Sequence, residues 1–387
     1  MAVKNNWRNY RNILCVRLDN AGDVVMTTPA LRALKEACPE RKITLLTSPP
    51  GARIAGLIPE VDRCIVYGAP WVKATAPCRD ARGEYALIRA LKRERFDAAV
   101  IFTVYSQSPL PAAFLCYMSG IPERLAHCRE NPYQLLTRWV PDPEPKEYVR
   151  HEVERQLDLV ASVGCSPRRD GLSLKVPDAA YRRLERILAR EGVDPQRPRI
   201  VLHCGSSAPS RRYPKGSFAK AARLLFKETG FTLLFSGTQE EREDIESIRA
   251  QAAVPSVSLA GKMNLEELAA LLSRSALLIS NNTGPVHIAA ALGTRVVDLY
   301  ALTNPQHTPW KVASRVLSHD VPCRYCYKSI CPEGHQRCLA MVPAEAVVHA
   351  AKELLCEQNY FASFDKSFAV DVQAGNSPRS AMAREGI

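Results

Sequence analysis

Short apolar runs that alternate with amphipathic stretches fill the first half of the chain. The apolar runs predict strands at residues 13–16, 43–46, 64–67 and 98–102. Helices are predicted between them, one through Ala30, Leu31 and Leu34 and another over residues 85–95. Strands that alternate with helices favour a parallel, doubly wound sheet. The ligand of such a sheet binds outside the carboxyl ends of its strands.

The alternation starts again after a proline-rich and charged stretch, VPDPEPKEYVRHEVERQLDLVASVG. Strands are predicted at residues 200–203, 232–235, 277–280 and 296–299. Helices are predicted at residues 216–229, 239–251, 264–273 and 285–292. A chain of 387 residues exceeds what one hydrophobic core usually serves. We therefore expect two Rossmann-like α/β domains facing a cleft, residues 1–175 and 176–358, and a disordered tail over residues 359–387.

Composition is that of a globular protein, with 46% hydrophobic and 24% charged residues. No window approaches the ~18 consecutive apolar residues that a membrane span requires. The beginning, MAVKNNWRNYRN, lacks the apolar core of a secretory signal. These features predict a cytoplasmic protein.

A formal net charge of +12 favours anionic partners, because a positive field gathers anions. Nucleic acid is disfavoured, since the Lys and Arg residues are spread out and lack the interleaved aromatic residues of a base-stacking surface. A phosphorylated substrate and the face of an anionic membrane both fit this charge. The 13 cysteines, an odd number scattered mostly through apolar segments, predict reduced thiols rather than a disulfide framework.

The segment RLDNAGDVVMTTPALRALK joins the first predicted strand to the next helix. Asp23 stands at the start of that helix, where a carboxylate caps free amides and complements the helix dipole. It also stands at the carboxyl end of a central strand, where it would face the cleft and could take a proton from a hydroxyl nucleophile. Asp19 is the neighbouring competitor for that role.

The segment NNTGPVHIAAALG makes the same strand-to-helix turn in the second half. Thr283 is placed to cap the helix, and Gly284 lets a ligand approach the backbone closely. Free amides at the helix start, with the positive end of the dipole, suit a phosphate or diphosphate. His287 could donate a hydrogen bond to the same group. A structural turn without a ligand, with His287 packed in the core, is the alternative.

A third turn, HCGSSAPSRRYPKGSF, follows the first strand of the second domain. Ser206 and Ser207 could face a phosphate there. The fixed positive charge that metal-free diphosphate chemistry needs would come from Arg211, Arg212 and Lys215. The alternative is that these basic side chains are simply solvated.

Four cysteines lie within sixteen residues in CRYCYKSICPEGHQRC, namely Cys323, Cys326, Cys331 and Cys338. With His335 among them, they could bind a structural zinc ion or an iron–sulfur cluster, although the spacing matches no standard pattern. A loop of reduced thiols held by packing is the alternative. Neither a P-loop nor a strand-associated GxGxxG fingerprint occurs, which disfavours kinases and dehydrogenases.

Together these segments resemble glycosyltransferase family 9, the heptosyltransferases of lipopolysaccharide core synthesis. GDVVMTTPALRALK is similar to the family's N-terminal signature of Gly-Asp, an apolar residue and then Thr-x-Pro-Ala-Leu. NNTGPVHIAAALGT is similar to its C-terminal signature, Asp-Thr-Gly followed by a helix that carries His. The resemblance extends over nearly the whole chain, and the two signatures in this order are more specific than either alone.

The resemblance implies a GT-B architecture and an inverting transfer from a nucleotide-diphosphate sugar, without a catalytic cofactor or divalent metal. Asp23 would be the general base, with Asp19, Asn20 and Gly22 on the acceptor side. The donor diphosphate would be held by Thr283, Gly284, His287, Ser206, Ser207 and Arg211. The expected donor is ADP-heptose, and the expected acceptor is a lipid-linked saccharide.

Three positions depart from the family pattern and bear on the donor. Asn282 stands where many members have Asp, and Arg211 where Lys is common. Gln239 lies near a position where a Glu often contacts the donor's nucleoside or sugar. These differences concern the identity of the donor more than the reaction.

The sequence leaves two other functions open, and the expected acceptor suggests where the protein would be located. The same fold could serve another nucleotide-sugar, as transferase, epimerase or hydrolase, or it could bind such a ligand without catalysis. A phosphorylated lipid acceptor would lie at the inner face of the cytoplasmic membrane. Peripheral association would then use basic residues of the first domain, with Arg8, Arg11 and Arg53 as candidates.

Overall fold

Two six-stranded parallel sheets organise the fold. The computed structural model describes residues 7–72, 75 and 80–357. The first sheet contains β1 (Asn12–Arg17), β2 (Lys42–Thr47), β3 (Arg63–Val66), β4 (Ala98–Ile101), β5 (Glu123–Cys128) and β6 (Arg138–Pro141). Its strand order is β3-β2-β1-β4-β5-β6, with every neighbouring pair parallel.

The second sheet repeats this topology. It contains β7 (Arg199–His203), β8 (Thr232–Ser236), β9 (Val257–Ser258), β10 (Leu277–Asn281), β11 (Val296–Leu299) and β12 (Ser314–Leu317). Its order is β12-β11-β10-β7-β8-β9. In each sheet the chain direction across the sheet reverses beside the first strand, at β1/β4 and at β7/β10, which is where doubly wound sheets bind ligands. The predicted pair of doubly wound sheets is confirmed.

Helices connect the strands and cover both sheets. In the first half they are α1 (Ala21–Met26), α2 (Thr28–Ala37), α3 (Pro49–Ala55), α4 (Arg82–Glu94), α5 (Leu110–Met118) and α6 (Glu152–Ala161). In the second half they are α7 (Asp178–Arg190), α8 (Lys215–Thr229), α9 (Arg242–Ala252), α10 (Leu265–Ser273), α11 (Gly284–Ala291), α12 (Arg337–Ala340) and α13 (Ala344–Cys356). Among the described residues, no helix is long and apolar enough to cross a membrane.

Two helices differ from their predicted form. The single helix expected after β1 is divided into α1 and α2 at Thr27, whose hydroxyl donates a hydrogen bond to the carbonyl of Asp23. Pro29 in the first turn of α2 has no N–H to continue the α1 ladder, so the chain starts a new helix. The helix predicted from residue 239 begins at Arg242, because the Glu241 carboxylate accepts a hydrogen bond from Thr238 N–H and holds a turn before it.

The two halves meet where α1 packs on α11. A Cβ atom added to Gly22 would lie 2.9 Å from Cδ2 of His287 and 3.4 Å from Cα of Gly284. No side chain larger than hydrogen fits there without a shift of α11. The helices that start at the two central strands are therefore in direct backbone contact.

One hydrophobic cluster extends from the first sheet into the second, through buried residues of α1, α2, α7, α10 and α11. The chain leaves the first sheet along residues 165–176, where Arg32 donates to the carbonyl of Gly171 and Lys175 N–H to that of Leu57. It then enters α7, which packs on α10. The domain boundary near residue 175 stays a prediction, and the tail over residues 359–387 lies outside the described residues.

Candidate functional site

A cavity of about 710 Å³ lies between the two halves, at the carboxyl ends of β1, β7, β8 and β10. The predicted site residues that line it are Asn20, Gly22, Asp23, Ser206, Ser207, Arg211, Asn282, Thr283, Gly284 and His287. Four further residues suggested from the sequence are not among its lining residues, namely Asp19, Arg212, Lys215 and Gln239. Parallel strands bring these turns together because all their carboxyl ends open toward the same cleft.

Asp23 occupies the third position of α1. Asn20 is the N-cap, and its backbone N–H donates to Oδ2 of Asp23 at 3.1 Å. The other oxygen, Oδ1, lies 3.6 Å from Nη2 of Arg17, and the carboxylate is 17% exposed. The sequence offered two alternative roles for Asp23, capping the helix start and facing the cleft. In the structure Asp23 caps the amide of Asn20 and also lines the cavity.

The electrostatic environment of Asp23 raises its pKa to about 6. Burial is the main cause and repulsion from Asp19 adds to it, while Arg17, the Asn20 N–H and Arg211 oppose it. A carboxylate with this pKa is ionised near neutral pH and is more basic than an ordinary aspartate. That combination suits a group that accepts a proton from a sugar hydroxyl.

Arg17, at the end of β1, has a fully buried side chain that contacts three carboxylates. Its Nε lies 2.9 Å from Oδ2 of Asp19, and its Nη1 lies 2.8 Å from Oε1 of Glu152 at the start of α6. Burial raises the pKa of Glu152 to about 7. We identified neither Arg17 nor Glu152 from the sequence. A charged residue ending an apolar strand was the available signal for Arg17, whereas Glu152 looks like an ordinary first-turn acid.

Glu152 also faces the second half of the chain. Its Oε2 lies 4.0 Å from Nε2 of His307, and neither atom has a hydrogen-bond partner among the described residues. The carbonyl of His307 in turn accepts from Nδ2 of Asn282 at 2.8 Å. Burial lowers the pKa of His307, with the nearby His287 and Arg211 adding to the effect. A buried polar chain thus connects Arg17 beneath Asp23 with the turn that follows β10.

Asp19 turns away from the cleft. Its Oδ1 accepts a hydrogen bond from Nε2 of Gln107 at 2.6 Å. It borders a separate pocket of about 300 Å³, which Trp71 and Thr103 also line. Asp23 therefore projects into the main cavity and Asp19 into a neighbouring pocket of the first half.

The turn after β10 presents the N-terminus of α11 to the cavity. Thr283 occupies the predicted N-cap position, but its hydroxyl donates to the carbonyl of Asn281 at 3.2 Å and caps no amide. Pro285 has no N–H, and the N–H of Val286 donates to the Thr283 carbonyl at 3.0 Å, so among the described residues the Gly284 N–H is the first-turn amide left for a ligand. Because Gly284 carries no side chain, an anion can approach this amide closely.

His287, on the first turn of α11, is 4% exposed. Burial lowers its pKa to about 3, with His151 and Arg211 acting in the same direction. The imidazole is therefore neutral at physiological pH. Its Nδ1 has no hydrogen-bond partner among the described residues, so the ring can still contribute a hydrogen bond to a bound group.

Asn282 lines the cavity, yet its amide is already engaged. Nδ2 donates to Oδ2 of Asp298 at 2.8 Å as well as to His307 O. Burial raises the pKa of Asp298 to about 8. An aspartate at position 282 would bring two carboxylates into contact in a buried place, which gives a physical reason for the asparagine.

The turn after β7 contributes Ser206, Ser207 and Arg211 to the cavity wall. Arg211 ends a short 3-10 turn and makes no ion pair within residues 7–72, 75 and 80–357. Its charge acts on both Asp23 and His287. Lys215, by contrast, pairs with Asp244, and Arg212 donates to the carbonyl of Ser206 at 2.8 Å. Of the three predicted cations, Arg211 alone lines the cavity.

Glu241, and not Gln239, lines the cavity at the turn after β8. The side chain of Gln239 covers Gly261 instead. Glu241 packs against Gly205 and Gly237, where a Cβ would clash with its carboxylate. The signal for Glu241 was present in the acidic stretch GTQEE, but the resemblance pointed to the nearby Gln239.

The cysteine segment lies outside the cavity. Sγ of Cys323 is 3.9 Å from Nε2 of His335. Burial raises the pKa of Cys338, and Cys331, Cys323 and Cys326 add to the effect, so the four thiols are neighbours. Across the described ranges, no group of three or more His, Cys, Asp or Glu side chains could hold a metal ion. A structural metal at these cysteines is therefore not supported, and the described cysteines are free thiols.

Known proteins resemble this chain over most of its length. The profile of glycosyltransferase family 9 (heptosyltransferase) matches residues 84–336. The lipopolysaccharide core heptosyltransferase OpsX of Haemophilus influenzae is 25% identical over 311 residues, which cover 79% of this chain and 84% of OpsX.

Solved structures agree with this match. A family 9 glycosyl transferase from Veillonella parvula has a TM-score of 0.74 and 23% identity, covering 90% of this chain and 98% of its own. The E. coli ADP-heptose lps heptosyltransferase II has a TM-score of 0.70 and 22% identity, covering 90% and 99%. These likenesses confirm the GT-B fold. Because the family profile matches well over half of the chain, residues 84–336, the chain belongs to glycosyltransferase family 9 and is a glycosyltransferase.

Proposed function

We propose that this enzyme transfers heptose from ADP-heptose to a saccharide of the lipopolysaccharide core, with inversion and without a catalytic metal. The observation that carries the proposal is the contact of α1 with α11, which sets Asp23 and the N-terminus of α11, with its Gly284 amide, in one cavity. A base and an anion site that face each other are what an inverting transfer from a diphosphate donor requires. The names of the heptosyltransferase relatives support the choice of donor and acceptor.

In this mechanism Asp23 accepts the proton of an acceptor hydroxyl as its oxygen attacks the anomeric carbon. The bond from that carbon to the donor diphosphate breaks on the opposite face, so the configuration inverts. The leaving diphosphate gains charge, and Arg211 with the Gly284 amide at the positive end of α11 would stabilise it. Neutral His287 would add a hydrogen bond. These fixed positive groups support a transfer that needs no divalent cation.

The nucleoside would occupy the side of the cavity formed by the second half. Met263, Leu265 and Leu268 give that wall an apolar surface suited to a purine ring. Glu241, at the same wall, offers a carboxylate to ribose hydroxyls or to an exocyclic amine. Glu241 thereby takes the role first expected of Gln239.

The acceptor would enter from the first half, past Asn20 and Gly22. The pocket beside Asp19 is open to a further sugar of the same acceptor. An acceptor linked to lipid would bring the enzyme to the inner face of the cytoplasmic membrane. Of the three arginines suggested for that contact, Arg53 lines the cavity and Arg11 pairs with Glu40, while Arg8 is exposed.

The test is transfer of labelled sugar to truncated lipopolysaccharide, with ADP-heptose, UDP-sugars and GDP-sugars supplied in parallel. Transfer from ADP-heptose that persists in EDTA and disappears in Asp23→Asn supports the donor, the base and the metal-free reaction. Transfer from another donor alone would overturn the choice of ADP-heptose and keep the reaction. Tight ADP binding without transfer from any donor would favour a non-catalytic binder, and release of free sugar without an acceptor would favour a hydrolase.

A further inference from the structure

Helix α5 presents an apolar stripe to solvent, in contrast to the polar outer stripe usual for a helix that covers a sheet. The exposed fractions are 53% for Phe114, 49% for Tyr117 and 43% for Met118. Tyr133 belongs to a 3-10 turn that packs on α5, and it is 79% exposed. Contiguous exposed apolar side chains are typical of interaction surfaces.

The neighbouring helix α4, which contacts α5, adds positive charge to this side of the molecule. A surface depression of about 500 Å³ at its carboxyl end is lined entirely by Arg89, Lys92, Arg93 and Arg95. None of the four makes an ion pair with another described residue. The acids of α4 are already engaged, since Glu84 accepts from the Tyr67 hydroxyl and Glu94 pairs with Arg63.

The apolar stripe is also held firmly. The guanidinium of Arg124, itself bonded to backbone carbonyls, lies 5.5 Å from the centre of the Tyr117 ring. At its other end, the first turn of α5 lines the pocket beside Asp19 through Pro111 and Ala112. The helix that carries the stripe therefore also borders the pocket beside Asp19.

We propose that the α4–α5 surface, formed by Phe114, Tyr117, Met118 and Tyr133 with Arg89, Lys92, Arg93 and Arg95, docks on an anionic lipid bilayer. Aromatic side chains with a polar edge favour the headgroup level of a membrane. Each cation near an anionic bilayer is attracted to it and strengthens binding roughly fivefold. The inference extends the proposed function, because a lipid-linked acceptor would be presented at such a surface.

A bilayer fits these features better than a second copy of the chain. A two-fold contact through α5 would bring the cations of both copies close together without acids to neutralise them. An anionic membrane supplies the complementary charge at every point and accepts the apolar stripe between headgroups. The arginines first suggested, Arg8, Arg11 and Arg53, lack a comparable apolar neighbourhood of exposed side chains among the described residues.

Flotation of the full chain with vesicles tests the proposal. One set of vesicles contains equal parts of phosphatidylcholine and phosphatidylglycerol, and the other contains phosphatidylcholine alone; neither contains donor or acceptor. We expect binding to the anionic set, weakened by high salt. The double variant Arg89→Glu/Arg93→Glu should lower binding on the order of tenfold or more. Phe114→Ser/Met118→Ser should remove the part of the binding that survives salt.

The matched control is Arg182→Glu/Arg186→Glu on α7, where both arginines are exposed and unpaired among the described residues. This control changes the net charge by the same amount as Arg89→Glu/Arg93→Glu, but in the described part of the chain α7 has no exposed apolar stripe beside it. Equal losses in the control and in the α4 variant would overturn the proposal, since general attraction would then explain the binding. Loss of a solution dimer in Phe114→Ser/Met118→Ser, with vesicle binding intact, would overturn it in favour of self-association.

Transfer to a soluble saccharide acceptor separates this inference from the proposed function. The α4 and α5 variants should keep the wild-type rate on that acceptor, because none of their residues lines the main cavity. Vesicle binding without any transfer would sink the proposed function and leave the docking surface. Transfer without vesicle binding would overturn the docking surface and leave the proposed function.

Discussion

Asp23 is the side chain on which the proposed chemistry depends. Asparagine keeps its size and its place at the start of α1, but it cannot accept a proton. We expect Asp23→Asn to lower kcat by about 10²–10⁴-fold, the usual contribution of general base catalysis. ADP affinity, measured by calorimetry on the same protein, should stay at the wild-type level. A variant with normal kcat would exclude Asp23 as the base.

The environment of Asp23 predicts the acid limb of the pH profile. Only the ionised carboxylate acts as a base, so kcat/KM should rise with pH through about 6, the pKa set by burial and by Asp19. Removing the charge of Asp19 removes one of the causes that raise this pKa. Asp19→Asn should therefore move the acid limb to lower pH while keeping most of the activity. An acid limb that stays in place would contradict the assignment.

Asp298 gives a prediction about stability. Its pKa is raised from 3.8 to about 8 in the folded protein, mainly by burial. Between these values the folded state holds a proton that the unfolded chain has lost, so stability falls as pH rises through that window. The slope from this one group is up to about 1.4 kcal/mol per pH unit. Asp298→Asn should flatten the dependence of the unfolding free energy on pH, measured by urea unfolding at several pH values. The control is Asp320→Asn, because the Asp320 side chain is 76% exposed.

At the level of elements, the contact between α1 and α11 can be tested by one methyl group. Gly22→Ala places a Cβ 2.9 Å from His287 and must push the two helices apart. We expect a loss of about 1–3 kcal/mol in unfolding free energy, together with a fall in kcat.

Gly83→Ala is the matched control, because Gly83 lies inside α4 and a Cβ there meets nothing within 4 Å. That variant should gain roughly 0.5–1 kcal/mol from the better helix propensity of alanine. Equal stability of the two variants in chemical denaturation would contradict the close helix contact.

Element patterns could be predicted where the local sequence decides them. The apolar runs of β1, β7 and β10 and the turns after them depend on neighbouring residues, so Asp23 and Thr283 were found at strand ends. The start of α9 depends on a side chain that folds back on the backbone, the Glu241 carboxylate on Thr238 N–H. Periodicity carries no information about that bond, and the family resemblance pointed to the nearby Gln239 instead of Glu241.

At the scale of the whole molecule, a ligand that bridges both halves should stabilise them together. Saturating ADP at about 100 times its Kd adds about 2.7 kcal/mol to the unfolding free energy. Arg211→Ala removes an unpaired cation from the cavity wall formed by the second half and should reduce this gain in thermal unfolding with fixed ADP. Lys215→Ala is the control, since Lys215 pairs with Asp244 outside the cavity. If ADP stabilises Arg211→Ala as much as it stabilises the wild type, Arg211 does not hold the diphosphate.

The long-range part of the site could not be predicted from the sequence. Arg17, Glu152 and His307 come from β1, α6 and a loop near the end of the second half. Each has an ordinary local context, and only the folded chain places their charges together in a buried region. The same holds for Asn282, whose departure from the family pattern makes sense once Asp298 and the His307 carbonyl are seen beside it.

The backbone contact at Gly22 and Gly284 acts as a fixed spacer between the two reacting sides of the cavity. Since no side chain lies between these two glycines, the distance from Asp23 to the diphosphate of the proposed donor would be set mainly by main-chain geometry. The walls at Glu241, Met263 and Leu268 are built from side chains and lie apart from that spacer. Donor preference can therefore be re-engineered at the walls while the reaction geometry stays constant.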